Sequence, residues 1–391
     1  MREGARGFSR AFSLVELVVA MGVTAVVTAA VFALLDPSHG IFQAESETAD
    51  VQQRLRVAVD AVSSALLDAG AGPYGADGPL LRAFAPVVPS RLGIADSDPG
   101  GTFRRDTIGI MSVPARAAQA RLANAVSGPS PTLMLDTGEC SRAACGFATG
   151  MTVLLYDPTS GRRDLAEVTG VDAAAGTLQV DSSPQLGDYP AGAVIVQAEA
   201  TTLYLKHDGA RDIDELASYS GDGDPDVPVA DHVVGLTFEY YGDPAPPSLA
   251  QPLSDPVGPW TTYGPAPPPL AATGGAAYPA GENCAFAVDT VSGRQVPRLA
   301  ALGPSSGLVP LTAAQLTDGP WCPDAEAPTR WDADLLRIRR VAVTVRVEAA
   351  VDALRGPAGV LFARGGTARG RFVPDQEARF EITPQNMSLG R

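Results

Sequence analysis

The residues that could do chemistry are few, and the histidines are the first to consider. His207 precedes Asp208 and His232 follows Asp231, so each of the two stands directly beside a carboxylate. Adjacent residues on a strand point to opposite faces, which does not align a catalytic base with its orienting acid. Neither pair is accompanied by a nucleophile elbow, a second histidine at helical spacing or a phosphate-binding loop. The pattern predicts surface histidines, and no enzyme.

A short acidic stretch, Asp222-Gly223-Asp224-Pro225-Asp226, carries oxygen ligands of the kind that Ca²⁺ prefers. A loop of the EF-hand type needs Gly at its sixth position and Glu at its twelfth, and these are Val227 and Val233 here. The template therefore fails, and a solvated acidic turn is the interpretation we favour. Whether the stretch binds calcium in another way stays open. We predict no metal site and no cofactor.

The four cysteines fall into two local settings. Cys140 and Cys145 bracket a Ser-Arg-Ala-Ala loop, and Cys284 and Cys322 bracket a stretch rich in Pro and Gly. Neither pair has the C-x-x-C spacing of a zinc site, and no histidine is near in sequence. If the body of the protein faces an oxidising compartment, the economical prediction is two disulfides, Cys140–Cys145 and Cys284–Cys322. The other two pairings stay open.

Glu16 lies inside a long apolar run, where an ionisable group is costly and usually marks function. The run extends from Phe12 to Leu35, before Asp36-Pro37 interrupts it. As a helix it would be about 36 Å long, enough to cross a bilayer core. Arginines precede the run and an acidic chain follows it, so we expect the N-terminus in the cytoplasm and everything after Pro37 outside.

Three interpretations of this segment compete. One is a secretory signal peptide, with small residues such as Ala29, Ala30 and Ala33 near its end. Another is a plain membrane anchor. The third rests on Arg10-Ala11-Phe12-Ser13-Leu14-Val15-Glu16, which resembles the cleavage site of type IV prepilins and type II secretion pseudopilins. Because a basic leader, this motif and a long apolar helix occur together, we favour the third.

The resemblance implies roles for three residues. In that family a membrane peptidase cuts before the Phe and methylates the new N-terminus, and a Glu is the fifth residue of the mature chain. Carried over, the cut falls between Ala11 and Phe12, Phe12 is methylated, and Glu16 is the family's acid. The family usually has Gly where this chain has Ala11. Glu16 would neutralise the new amine of Phe12, within one subunit or across to its neighbour; the alternative is that it only reaches to the lipid headgroups.

After the apolar run, a second helical half is predicted for residues 36–70. Val51, Leu55, Ala58, Val62 and Leu66 recur at three- and four-residue steps, which is typical of an amphipathic helix, and Gly70, Gly72 and Pro73 should end it. We expect this face to pack on a sheet; a short coiled coil is the alternative. Strands are predicted at 107–113, 132–135, 151–156, 166–171, 177–180, 193–205, 232–241, 336–347, 360–363 and 371–382.

Residues 243–331 differ from the rest, since they hold clusters of proline and few periodic runs. We predict a large insertion between two sheet strands, closed near its base by Cys284–Cys322. In the strand predicted at 336–347 the arginines should point outward. Larger minor pilins and J-like minor pseudopilins have parts that resemble three segments of this chain. These are the strand predicted at 336–347, the strand predicted at 371–382 and the sequence Pro228–Leu236.

Composition limits the function further. The chain has 391 residues, with 41 Gly and 34 Pro, which favours many turns over a helical bundle. Its net charge is −15, with Lys206 the only lysine, so nothing attracts a nucleic acid backbone. An acidic surface keeps an exported protein soluble.

These observations predict an α+β fold with a long N-terminal helix, transmembrane in its first half, packed on an antiparallel sheet in a pilin-like body with a large loop insertion. The predicted regions are a leader at 1–11, a transmembrane helix at 12–35, its continuation at 36–70 and a globular domain at 71–391. The expected function is that of a minor pilin or minor pseudopilin at filament initiation or at the tip. A tip adhesin that uses the insertion, and a membrane-anchored periplasmic binding protein, are the alternatives.

The resemblance also implies partners and a location. We expect a prepilin peptidase, other pilins or pseudopilins, an inner-membrane assembly platform and, before assembly, membrane lipid. The protein would be held in the bacterial inner membrane with its body in the periplasm, and would then enter a pilus or pseudopilus.

Overall fold

The computed structural model describes residues 13–73, 79–127, 132–138, 140–158, 162–181, 186–221, 225–246, 286–288, 291, 295–304, 307–322, 329–355 and 373–388. They form two compact units, one of Met1–Gln53 with Glu348–Gln376 and the other of Arg54–Val347 with Glu377–Arg391. In the described residues one long α-helix, short 3₁₀ helices and antiparallel strands make up the regular structure, so the predicted α+β class with a long N-terminal helix is confirmed.

The helix α1 spans Leu14–Asp68. It continues through Asp36 and Pro37, where the sequence loses its apolar character. In the larger unit Ala58, Val62 and Leu66 are fully buried, as their spacing on one helix face predicts. The helix ends before Gly70, whose φ of +75° is a left-handed conformation that glycine adopts without strain. The Gly70 N–H then donates to the Met111 carbonyl, which ties this helix end to the sheet.

The smaller unit holds the rest of α1. Val51 is fully buried there, and Glu47 is a buried carboxylate that accepts a hydrogen bond from the Ala350 N–H. The segment that follows β18 is held by Arg355, whose guanidinium contacts the carboxylates of Glu348 and Asp352.

Nineteen strands occur in the described residues: β1 (Val87–Val88), β2 (Thr107–Ser112), β3 (Gln119–Leu122), β4 (Thr132–Asp136), β5 (Thr152–Tyr156), β6 (Arg163–Asp172), β7 (Thr177–Asp181), β8 (Val194–Gln197), β9 (Glu199–Asp208), β10 (Ile213–Tyr219), β11 (Val227–Asp231), β12 (Val233–Gly242), β13 (Phe286–Val288), β14 (Gln295–Pro297), β15 (Val309–Leu311), β16 (Trp321–Cys322), β17 (Trp331–Asp332), β18 (Ile338–Val347) and β19 (Gln376–Ile382). A five-stranded sheet has the order β1-β2-β9-β10-β11, and a four-stranded sheet has the order β15-β12-β18-β19.

A closed barrel of six strands, in the order β3-β4-β7-β6-β5-β8, was not predicted from the sequence. It lies between β2 and β9, which are neighbours in the five-stranded sheet, and it leaves and rejoins that sheet at the paired residues Ser112 and Glu199. Its interior is packed with buried side chains, among them Leu122, Leu133, Val153, Leu155, Val168, Leu178 and Ile195. The single strand predicted at 193–205 is therefore two strands, β8 of the barrel and β9 of the sheet.

The segment between β12 and β18 also lies between paired neighbours, since Gly242 pairs with Ile338. It includes the short strands β13 to β17, and β15 joins the four-stranded sheet. The strand predicted at 336–347 begins only at Ile338, because Ala333–Arg337 form a 3₁₀ turn. Arg337 is consequently buried rather than outward. The strand predicted at 360–363 lies outside the described residues, as do the first two residues of the one predicted at 371–382.

Candidate functional site

The start of α1 is organised by two polar side chains. Ser13 Oγ accepts a hydrogen bond from the Glu16 N–H (3.2 Å), and Glu16 Oε2 accepts from the Ser13 N–H (2.9 Å) and from the Ser13 hydroxyl (3.1 Å). This reciprocal arrangement is a capping box, and it satisfies N–H groups that a helix start leaves without intrahelical partners. Glu16 thus has a local partner in Ser13. The role of Ser13 was missed from the sequence, although the S-x-x-E spacing predicts a capping box.

The predicted cleavage site, Ala11 and Phe12, lies outside the described residues. Pairing of Glu16 with the Phe12 amine therefore stays a prediction.

The segment Leu14–Phe32 is long and apolar enough to cross a membrane. Its 19 residues are all exposed, and at 1.5 Å per residue they span about 28 Å. The few polar side chains are satisfied within the helix, since the hydroxyls of Thr24 and Thr28 donate to the carbonyls of Ala20 and Thr24 (2.8 and 2.7 Å). An apolar surface of this extent marks a segment that contacts lipid or other helices.

A disulfide joins Cys140 and Cys145, the pairing predicted from the sequence, with the Cα atoms 4.9 Å apart. Cys145 is buried in the barrel core, and Cys140 packs against that core. Cys322 is disulfide-bonded as well. The predicted partner, Cys284, lies outside the described residues, so the pairing Cys284–Cys322 stays a prediction.

The prediction of surface histidines holds for His207, which is exposed, and is wrong for His232, which is buried. His207 Nδ1 lies 2.9 Å from Oδ1 of Asp214 on the adjacent strand, whereas Asp208 contacts Arg211. This hydrogen bond with Asp214 raises the pKa of His207. His232 is buried and has φ +55° at the corner between β11 and β12. His39 has no described side chain.

The pattern G-x-S-x-G occurs at 303–307, far along the chain from either histidine pair. Its central Ser305 lies outside the described residues. The next described element is the strand β15, whereas a nucleophile elbow leads from a strand into a helix.

The acidic stretch at 222–226 is not a solvated turn throughout. Asp226 is held between two cations, with Arg91 Nη2 and Lys206 Nζ each 2.9 Å from its oxygens. The Arg91 guanidinium also lies over the Tyr219 ring, 3.9 Å from its centroid. Asp222 and Asp224 lie outside the described residues. Asp226 therefore takes part in an ion-pair cluster that the acidic pattern did not predict.

A second group of carboxylates was missed from the sequence. One oxygen each from Asp318, Asp332 and Asp334 lies within 4.8 Å of the others, a separation that could hold a metal ion. Asp332 accepts hydrogen bonds from the N–H groups of Gly319 (2.6 Å) and Asp334 (2.8 Å), and Asp334 contacts Arg337. Burial raises the pKa of Asp332 to about 7. Because protein donors already engage two of the three carboxylates, we assign no metal here.

Residues 6–32 match the model of a protein family, the prokaryotic N-terminal methylation motif. The matched region contains Ser13, Glu16 and the exposed apolar helix, and it ends at Phe32, the last residue of the candidate membrane span. A search of curated proteins found no match. The chain thus carries a prepilin methylation motif that leads into an apolar helix, as type IV pilins and pseudopilins do.

Proposed function

Since a prepilin methylation motif leads into an apolar helix, we propose that this chain is a structural subunit of a type IV pilus or a type II secretion pseudopilus, with a minor role at initiation or at the tip. The observation that carries the proposal is the helix α1, whose first part is exposed and apolar and whose last part buries one face in a β-rich body. Such a helix can pack with others in a filament while the body stays folded.

The first step in this function is processing in the inner membrane. A prepilin peptidase removes residues 1–11 and methylates Phe12, and the arginine-rich leader keeps the N-terminus in the cytoplasm. The body then lies in the periplasm, where disulfides such as Cys140–Cys145 persist. Ala11 replaces the usual Gly at the cut, and alanine is the nearest small substitute.

Glu16 has two successive partners in this scheme. Before cleavage its carboxylate accepts hydrogen bonds from Ser13. Cleavage creates a cationic amine on Phe12, one residue before Ser13, and the carboxylate then neutralises that amine in its own or a neighbouring subunit. Either arrangement avoids an isolated charge in a low-dielectric environment.

The size of the body supports a minor role. The barrel and the segment between β12 and β18 are both additions between paired strands of a sheet. A body enlarged in this way would crowd a filament if every subunit carried it. A position at the initiating end or the tip leaves room for it.

Mass spectrometry of the N-terminus of the native protein tests the family assignment. We expect a chain that begins at N-methyl-Phe12. A start near Ala30 or Ala33 would indicate a secreted protein, and an intact Met1 would indicate a plain anchored protein; either result would overturn the proposal. The variant Glu16→Ala should still reach the membrane but fail to enter filaments.

A deletion distinguishes the initiator role from that of an adhesin. Replacing residues 247–283 by a short Gly-Ser linker leaves β15 and the carbonyls of Asp243, Pro244 and Ala245, which Arg337 contacts, in place. If the protein is an initiator, we expect cells that lack the whole protein to form no filaments. Cells that carry only the deletion of residues 247–283 should still form them. Filaments that still form but no longer attach would indicate an adhesin.

A further inference from the structure

A cavity of about 290 Å³ lies where three parts of the larger unit meet. These parts are the loop after β1, strands β5 and β6 of the barrel, and the residues that precede β18. Its volume is close to the lower limit of about 300 Å³ for sites that bind small molecules. Much of the wall is apolar, formed by Leu92, Met111, Leu154, Leu316, Trp331 and Leu335.

Arg163 is the unusual residue in this wall. It is only 8% exposed, and its guanidinium lies over the Phe84 ring at 5.0 Å from the centroid. A guanidinium has five N–H donors, yet among the described residues Arg163 has one hydrogen-bond acceptor, the Ala85 carbonyl, which Nη1 contacts at 2.5 Å. Burial lowers the pKa of Arg163 to about 10, so it remains charged at neutral pH. A buried charge with so few partners is costly unless something else pairs with it.

The described carboxylates in the same wall, including that of Asp98, which accepts from the Arg91 N–H and from Arg104 Nε, are engaged by other donors. Asp164 Oδ2 accepts from the Gly187 N–H (2.9 Å) and the Tyr189 hydroxyl (2.7 Å). Asp332 accepts from the two backbone N–H groups described above. Asp164 lies close enough to offset part of the charge of Arg163, but no hydrogen-bonded ion pair joins the two in the described residues.

We propose that this cavity binds a small carboxylate with an apolar body, and that Arg163 holds its carboxylate group. The planar fork of a guanidinium matches a carboxylate through two parallel hydrogen bonds. The leucine and methionine side chains would contact the apolar part of the molecule. None of the described residues that line this cavity belongs to the helix α1, so binding here does not require the proposed function.

Three probes that share one ring test the charge of the ligand. The full-length protein in detergent is titrated with benzoate, benzyl alcohol and benzylamine by isothermal calorimetry. We expect benzoate to bind, the alcohol to bind more weakly and the amine not to bind. The variant Arg163→Gln should weaken benzoate binding by about ten-fold or more, since a hydrogen bond to a charged group is lost.

Arg162→Gln is the matched control, because Arg162 is half-buried, donates to the Asp188 carbonyl, and is not among the described residues of the cavity wall. It should bind benzoate as the unaltered protein does. If Arg163→Gln does not fold, Ser90→Leu fills the cavity while keeping the arginine, and it should abolish binding. Preference for the amine, binding that does not depend on Arg163 or Ser90, or no binding by any probe would overturn the proposal.

Discussion

Two side chains at the start of α1 decide where the helix begins. Ser13 and Glu16 each accept a hydrogen bond from the other's backbone N–H, so local hydrogen bonds close the first helical turn. The same carboxylate is the group that the sequence resemblance assigned to assembly. Local spacing alone predicts the capping box, whereas the pairing of Glu16 with an amine on Phe12 belongs to the proposed function.

The capping box can be tested by replacing Ser13. Ser13→Ala removes the hydroxyl that accepts from the Glu16 N–H, a change that typically costs about 1 kcal/mol of helix stability. We expect faster hydrogen exchange at the amides of Glu16 and Leu17 in detergent micelles, measured by NMR. Ser13→Thr keeps a hydroxyl and serves as the control. Equal exchange in both variants would show that the cap does not hold the helix start.

His207 gives a prediction for pH dependence. Its pKa is raised, chiefly by the hydrogen bond with Asp214, so the folded protein binds a proton more tightly than the unfolded chain. The stability from this pair is fully present below the unfolded pKa of about 6.5, and is lost as the pH rises through the folded pKa. An NMR titration should show a lower His207 pKa in Asp214→Asn.

Asp208→Asn is the matched control for this titration, because Asp208 contacts Arg211 and influences His207 only at a distance. It should lower the pKa of His207 by less than Asp214→Asn does. The opposite order would contradict the assignment of Asp214 as the main partner.

At the scale of elements, Arg337 connects parts of the chain that are far apart in sequence. It is almost fully buried, contacts Asp334, and donates to the carbonyls of Pro244 (3.0 Å), Ala245 (2.8 Å) and Ala300 (2.7 Å). The long segment after β12 is thus held near its base by a guanidinium, in addition to any disulfide. The sequence predicted the opposite, an outward arginine on a strand, because an alternating pattern contains no information about carbonyls more than ninety residues away.

Arg337→Met should be strongly destabilising. It leaves the buried Asp334 carboxylate without its cation, and breaking a buried ion pair in this way costs about 3–5 kcal/mol. Arg340→Met is the control, since Arg340 pairs with Glu381 at a half-exposed position and its loss should cost under about 1 kcal/mol. Urea denaturation of the full-length protein compares the two. Similar losses for both would show that Arg337 does not hold the segment.

Periodicity predicted α1 well and the strands unevenly. The stripe through Ala58, Val62 and Leu66 is a local pattern, and burial follows it directly. Most strands with alternating apolar residues were found, within a few residues of their observed ends. The strand β3 was missed because Gln119–Leu122 is half polar and owes its place to pairing with β8 and β4. Closure of a barrel depends on such long-range pairs, which no local pattern contains.

At the scale of the molecule, the larger unit is a sheet-based body with two additions. Each addition begins and ends at residues that are paired across neighbouring strands, Ser112 with Glu199 and Gly242 with Ile338. The strands at each junction are therefore already in register without the inserted segment. This predicts that an addition can be removed without unfolding the sheet, provided that the register is preserved.

Removal of the barrel tests this prediction. Residues 113–198 are replaced by a two-residue Asn-Gly turn, so that Ser112 and Glu199 remain opposite each other in a hairpin of β2 and β9. We expect a protein that still unfolds cooperatively, with some loss of stability because Arg163 no longer contacts Ala85 and Phe84. The control deletes Ser112 as well. A shift of one residue in the pairing of β2 turns its side chains to the opposite face of the sheet. Ile108 and Ile110, which are buried, would then be exposed, so we expect the control not to fold. If both deletions fold equally well, the pairing of Ser112 with Glu199 does not set the register; if neither folds, the sheet depends on the barrel.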